Sequence, residues 1–356
     1  MIRRLQIGAL ALVFTIVVSG CELYSNTGDD RVVEGVSFTE LFRPPGASEI
    51  QTIENEWAGR STEAVDVQIV EQFRLATSTL SIVSHQVVDI THYGAIIAPD
   101  GGAIGTLPVI VYAHGGDGGV SIDEEVLLVL SFLGDVRNQF VVVVPSFRSE
   151  SIRYQSRTWL SDGPPSPWDY DVDDALSLLS ATPTVAPAAD LARVGVVGLS
   201  RGAGVGLLMG IRDPRVSVVV DFFGPTDFFG PFVQDVVEEA LLGSLRDLPG
   251  LDFLDEQFIQ PIKRGEMTEA EVRPELIRRS PVFFVDRIPD LQIHHGNLDM
   301  IVPVSQGKSL EAAMLAAGRG SSDFESYFYE LGQHNPITLV GSLDRTVDFL
   351  SRLLEN

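Results

Sequence analysis

Lysine is almost missing from this chain. Of 25 basic residues only Lys263 and Lys308 are lysine, against 49 acidic residues and a net charge of −24. A nucleic-acid partner needs a basic face to meet phosphate, so that class is set aside. Cysteine is scarcer still: Cys21 stands alone, no intramolecular disulfide can form, and the core must hold without covalent staples. Long apolar runs are lacking too. The uncharged stretch Leu5–Val18 falls short of the roughly 20 residues that a bilayer span needs, and the polar "ELYSNTGDD" follows shortly after it. What the chain does have is 45% hydrophobic residues in a length of 356, enough for one large domain or two modest ones.

Arg3 and Arg4 precede the apolar run and Ser19-Gly20-Cys21 closes it. A basic start, an apolar middle and a small-residue cleavage site read as a secretory signal over 1–20. "VSGC" resembles the lipobox of bacterial lipoproteins. That resemblance implies a lipid on Cys21, a membrane partner through that lipid and, because Glu22 follows where an aspartate would retain the protein at the inner membrane, sorting to the outer membrane of the cell envelope. Residues 21–62, with "NTGDD" and "FRPPGASE", are polar and turn-rich and read as a tether with a short ordered lead-in. Residues 63–356 read as the folded domain.

"TLSIVSHQVVDITHYGAIIAP" has the loose alternation of two antiparallel strands. Continuous apolar runs follow, "LPVIVYAH", "QFVVVVPS", "RVGVVGLS", "VSVVVDFFG" and "PDLQIHHG", of the kind buried on both faces of a sheet. Helix-like segments separate them, which predicts an α/β fold: a mostly parallel central sheet flanked by helices, with ligands at the carboxyl ends of its strands. A Phe-rich helical excursion, about 226–280, interrupts the alternation between the strands that precede Asp227 and Asp299. Insertions of that length are more often functional than idle, and a cap over the active edge is expected.

The motif G-x-S-x-G at "GLSRG" is weak by itself. Here it follows the strand-like "VGVVG" and precedes the helix-like "AGVGLLMGI", the setting of a nucleophile elbow at Ser200. The helix that follows aims its positive end at the serine, and the Arg201 backbone N–H is placed to receive an oxyanion. The second donor is expected from Gly115 and Gly116 in "YAHGGDGG", a loop after an early strand.

A serine hydroxyl needs a base, and the base an acid. His85 and His92 lie in the antiparallel strand pair, where packing or edge solvation is expected; His114 precedes the serine; His294 and His295 are neighbours on one strand and face opposite ways. His334, in the loop "YELGQHNPI" before the last helix, fits the chain order serine, acid, histidine. Asp299 follows directly from a strand end and is favoured as the acid over Asp227, which follows the preceding strand, while Asp290 lies at the wrong end of its strand.

With these residues in view, "LPVIVYAHGG", "ARVGVVGLSRGAGVGLL", "HGNLDMIVPVSQ" and "YELGQHNP" are similar to the catalytic domain of the prolyl oligopeptidase family, within the α/β-hydrolase superfamily. The resemblance runs from about Leu107 to the C-terminus. It implies the α/β-hydrolase fold, Ser200 as nucleophile, Asp299 as acid, His334 as base, an oxyanion hole lined by His114 to Gly116, and no metal or organic cofactor. Family peptidases carry a propeller ahead of this domain, whereas the lead-in here, about 40 residues, has room for roughly one blade. No acidic pair for a substrate N-terminus stands out. The expected activity is that of a lipid-anchored serine hydrolase on a small peptide or ester. Peptide bonds are slightly favoured by the resemblance, with a carboxylesterase as the close alternative and a non-catalytic binding lipoprotein as the distant one.

Overall fold

The computed structural model describes residues 30–355; the signal, Cys21 and the start of the tether lie outside them. Nine strands form one sheet: β1 (Val65–Arg74), β2 (Ser78–Val87), β3 (Ile90–Pro99), β4 (Leu107–Ala113), β5 (Val141–Pro145), β6 (Ala189–Leu199), β7 (Val216–Phe222), β8 (Asp290–Gly296) and β9 (Phe324–Tyr329). Their spatial order is β9-β8-β7-β6-β4-β5-β3-β2-β1. The pairs from β9 to β5 are parallel, and β5, β3, β2 and β1 pair antiparallel. The predicted mostly parallel sheet is therefore present, with an antiparallel extension at one edge.

Side chains alternate across a strand, so a run that is apolar at every position must be covered on both faces. In β4, Val109, Val111 and Ala113 enter one core while Ile110 and Tyr112 enter the other. The first core is covered by α2 (Tyr170–Val185) and α3 (Arg201–Arg212) through Val172, Leu176, Leu179, Val205 and Leu208. The second is covered by Val126, Leu130, Phe349, Leu350 and Leu353, the last three in and after the C-terminal helix.

The lead-in is more ordered than its composition implies. Helix α1 (Ala47–Ala58) begins where the Glu49 side chain accepts the Gly46 N–H, a capping contact, and it buries Ile53 and Trp57 on one face. Trp57 packs on Phe284 with ring centroids 4.7 Å apart. The excursion after β7 contains α4 (Pro231–Leu241), shorter helical turns, and α5 (Glu269–Ile277). It is fastened to the lead-in by Arg273, whose guanidinium is buried and donates to the Glu40, Leu41 and Arg43 carbonyls at 2.8–3.0 Å and to Glu49. Helix α6 (Ser305–Ala316) follows β8 and α7 (Ser342–Leu350) follows β9. No helix among the described residues is long and apolar enough to cross a membrane.

Candidate active site

The parallel strands deliver their carboxyl ends to one edge of the sheet, and the singled-out residues lie in the loops found there. Ser200 follows β6 directly, with φ 54° and ψ −120°. A side chain with that backbone is strained, and the surrounding contacts hold it. The Ser200 N–H donates to the Phe222 carbonyl at 2.9 Å, and the Ser200 carbonyl accepts the Ala203 N–H at 2.9 Å as the helix starts. The two flanking glycines are required by close approach: a Cβ on Gly198 would lie 2.3 Å from the Gly202 carbonyl oxygen, and one on Gly202 would lie 2.1 Å from that of Ala113.

Adjacent β8 and β9 bring the acid and base loops together. The Asn297 N–H donates to the Tyr329 carbonyl at 2.8 Å and the Leu298 N–H to the Gly332 carbonyl at 2.9 Å. His334 then lies between two partners. Its Nδ1 is 2.7 Å from Asp299 Oδ2, and its Nε2 is 2.9 Å from Ser200 Oγ. A carboxylate can only accept, so Nδ1 carries the proton and Nε2 is left to accept from the serine hydroxyl. The other Asp299 oxygen accepts the N–H groups of Ile301 at 2.9 Å and Val302 at 3.0 Å, which fixes the carboxylate plane. Phe223, itself at φ 47°, packs on the imidazole of His334 at 4.3 Å.

Asp227 sits after β7 but is engaged elsewhere. Its Oδ1 accepts the Phe229 N–H at 3.0 Å, and its Oδ2 accepts the Ser309 hydroxyl at 2.6 Å, so it pins the start of the excursion to α6. The remaining histidines are also structural. Burial pushes His85 down to about 4, and burial with His85 and Arg148 nearby pushes His92 down to about 3. His294, pushed down to about 3 by burial and Arg345, stacks between Phe222 and Tyr327. His295 is buried on the opposite face of β8, with Nε2 2.8 Å from the Val302 carbonyl and 3.6 Å from Asp299 Oδ2. It buttresses the acid loop, a contact the sequence reading did not include.

Arg201 opens α3, so its backbone N–H has no partner within the helix. Gly115 stands against Ser200: a Cβ there would lie 3.3 Å from Ser200 Cβ. Gly116, next in the same loop, is tied in by its carbonyl, which accepts from the Arg201 guanidinium at 3.2 Å. The same guanidinium is buried, donates to Asp171 Oδ2 at 2.9 Å, and pairs with Glu150. Burial opposes its charge, and the two carboxylates more than offset that. His114, whose pKa burial lowers, stacks on Phe147 at 4.5 Å and faces Glu150 at 3.5 Å. The Arg201 side chain thus anchors the glycine loop. Its acidic partners, 51 and 30 residues away in the chain, carried no sequence signal.

A pocket opens at Ser200 and runs under the excursion, with about 930 Å³ of empty space including its mouth. Phe228, Val233, Val237, Leu251, Ile262 and, from the lead-in, Leu41 are among its walls. Arg201 is the one ionisable residue lining it, and the metal-ligand clusters that would place an ion are absent among the described residues.

No family model and no curated protein matches this chain in sequence. Solved structures do match in shape. An acetyl xylan esterase from a Thermoanaerobacterium species superposes with a TM-score of 0.61 at 18% identity, covering 87% of this chain and 95% of that one. An esterase from Pyrococcus furiosus gives 0.53 at 17% identity, over 82% and 98%. The acylaminoacyl peptidase of Pyrococcus horikoshii gives 0.53 at 15% identity, over 79% of this chain but only 41% of the larger peptidase. At these identities the likeness is one of architecture, and with the sheet order above it gives this chain the α/β-hydrolase fold.

Proposed function

We propose that the protein is a serine hydrolase that works by acyl transfer. The observation that carries this reading is the unbroken line Ser200 Oγ, His334 Nε2, His334 Nδ1 and Asp299 Oδ2, with links of 2.9 and 2.7 Å. His334 takes the proton from Ser200 as the oxygen attacks a carbonyl carbon, and Asp299 stabilises the imidazolium that results. The developing oxyanion is held by the Arg201 N–H and an N–H of the Gly115–Gly116 loop. The imidazolium then protonates the leaving group, and water repeats the sequence to free the acid and restore Ser200.

Of the two bond classes, the pocket supports esters. Apart from Ser200 and the engaged Arg201, its walls present apolar side chains and the Trp168 indole, with no carboxylate to receive a peptide N-terminus. The sequence resemblance leans toward peptide bonds instead, and parallel assays with a proline-containing peptide amide and short acyl esters rank the two. A fluorophosphonate probe tests the hydrolase reading itself: the wild type is expected to label and Ser200→Ala to remain unlabelled. Equal labelling of both proteins would overturn it. The lipobox resemblance supports an envelope location through Cys21, so Cys21→Ala is expected to leave the membrane fraction; unchanged sedimentation would refute the anchor.

A further inference from the structure

The pocket under the excursion is larger than a small acyl group needs. Its walls run from Ser200 past Phe228 and Val237 to Ile262 and Leu276, farther than an acetyl group extends. Its position relative to the base decides which half of an ester it receives. The leaving group must lie beside His334, which protonates it. His334 is not among the pocket walls, whereas Ser200 and Arg201 are. A group that enters the pocket from Ser200, away from His334, is the part that stays on the serine after the first step.

The lining states the chemistry of that part. Phe228, Val233, Val237, Leu251, Leu254 and Ile262 offer no hydrogen bond, and among the described residues the only polar side chain in the wall besides those of Ser200 and Arg201 is the Trp168 indole. The Arg201 guanidinium is already engaged by Asp171, Glu150 and the Gly116 carbonyl. A polar acyl group would lose its water there without compensation. We infer that the protein hydrolyses esters of unbranched aliphatic acids of medium length, with the hydrocarbon chain seated under α4 and the turns that follow it. This inference rests on the hydrolase reading and adds to it the acyl specificity.

The test is a series of p-nitrophenyl esters from acetyl to dodecanoyl, with an N-blocked phenylalanine p-nitrophenyl ester as the aromatic amino-acid arm. Each methylene that enters the pocket is expected to raise kcat/KM by about fourfold, until the pocket is full. The phenylalanine ester is expected to fall below octanoyl, because its amide finds no partner in the wall. Val233→Trp, at a half-buried wall position of α4, is expected to lower the octanoyl-to-acetyl ratio of kcat/KM by about tenfold or more. If that variant does not fold, Leu248→Trp, in the loop after α4, makes the same obstruction. A flat series, a preference for acetyl or for the phenylalanine ester, or equal loss on both chain lengths in the variant would overturn the acyl assignment while the hydrolase stands. Failure of the fluorophosphonate to label Ser200, together with no turnover of any ester, would instead remove the hydrolase reading beneath it.

Discussion

On one side of Ser200 the chain buries charge: Arg201 lies between Asp171 and Glu150, with His114 and Phe147 stacked beside them. On the other side the excursion presents Phe228, Val237, Leu251 and their neighbours to an open cavity. Buried ion pairs have narrow geometry and are costly to break, whereas apolar walls exchange volume at modest cost. The charged side therefore fits the part of the site that must not move, the glycine loop and the elbow. The apolar side fits the part in which specificity can drift.

The sharpest way to break this division is at the two aspartates, which follow neighbouring strands and differ in what they hold. Asp299→Asn is expected to lower kcat by roughly 10⁴-fold, because an amide no longer fixes the His334 tautomer. Asp227→Asn is expected to keep kcat within a fewfold and to loosen only the base of the excursion. Steady-state kinetics on one ester decides between them; equal losses would return Asp227 to candidacy.

Next in size is the charge cluster. Arg201→Met leaves Asp171 and Glu150 buried without their cation, and the unfolding free energy is expected to fall by about 3–5 kcal/mol. Ile262→Val, across the pocket, is expected to cost about 0.5–1.5 kcal/mol. Denaturant midpoints at constant slope measure both, and similar values would erase the contrast.

A third test is a pH dependence. Asp221 in β7 is buried; its Oδ1 accepts the Gly224 N–H at 2.8 Å and its Oδ2 has no partner, so burial pushes it up to about 7. The unfolded chain gives up this proton near pH 4 and the folded chain near 7, so over that window the unfolded state binds fewer protons. Its share of the stability is present below pH 4 and declines as pH rises, by at most about 1.4 kcal/mol per unit, levelling off above 7. Asp221→Asn is expected to flatten this part of the stability profile between pH 4 and 7, as measured by urea titration. An unchanged slope would show that other groups set it.

The sheet and the Ser200, Asp299, His334 line were legible because each rests on local order: an apolar strand, a turn, and a polar residue just past the strand end. Helix α1 went unread in a stretch dominated by turn residues, although Ile50, Ile53 and Trp57 fall on one helical face with Glu49 at its start. Arg201 was read for its backbone alone, because Glu150 and Asp171 come from distant loops and only folding brings them to it. The pocket was foreshadowed by the Phe-rich composition of the excursion. Its shape was not, since Leu41 enters it from the opposite end of the chain.

The clasp that Arg273 makes on the Glu40, Leu41 and Arg43 carbonyls gives the lead-in a second duty. Leu41 is held there as part of the pocket wall, so a protein trimmed beyond it would lose that part of the wall. The lead-in and the pocket share a residue, and a shortened form of this protein should start ahead of Val32, where the first short hairpin begins.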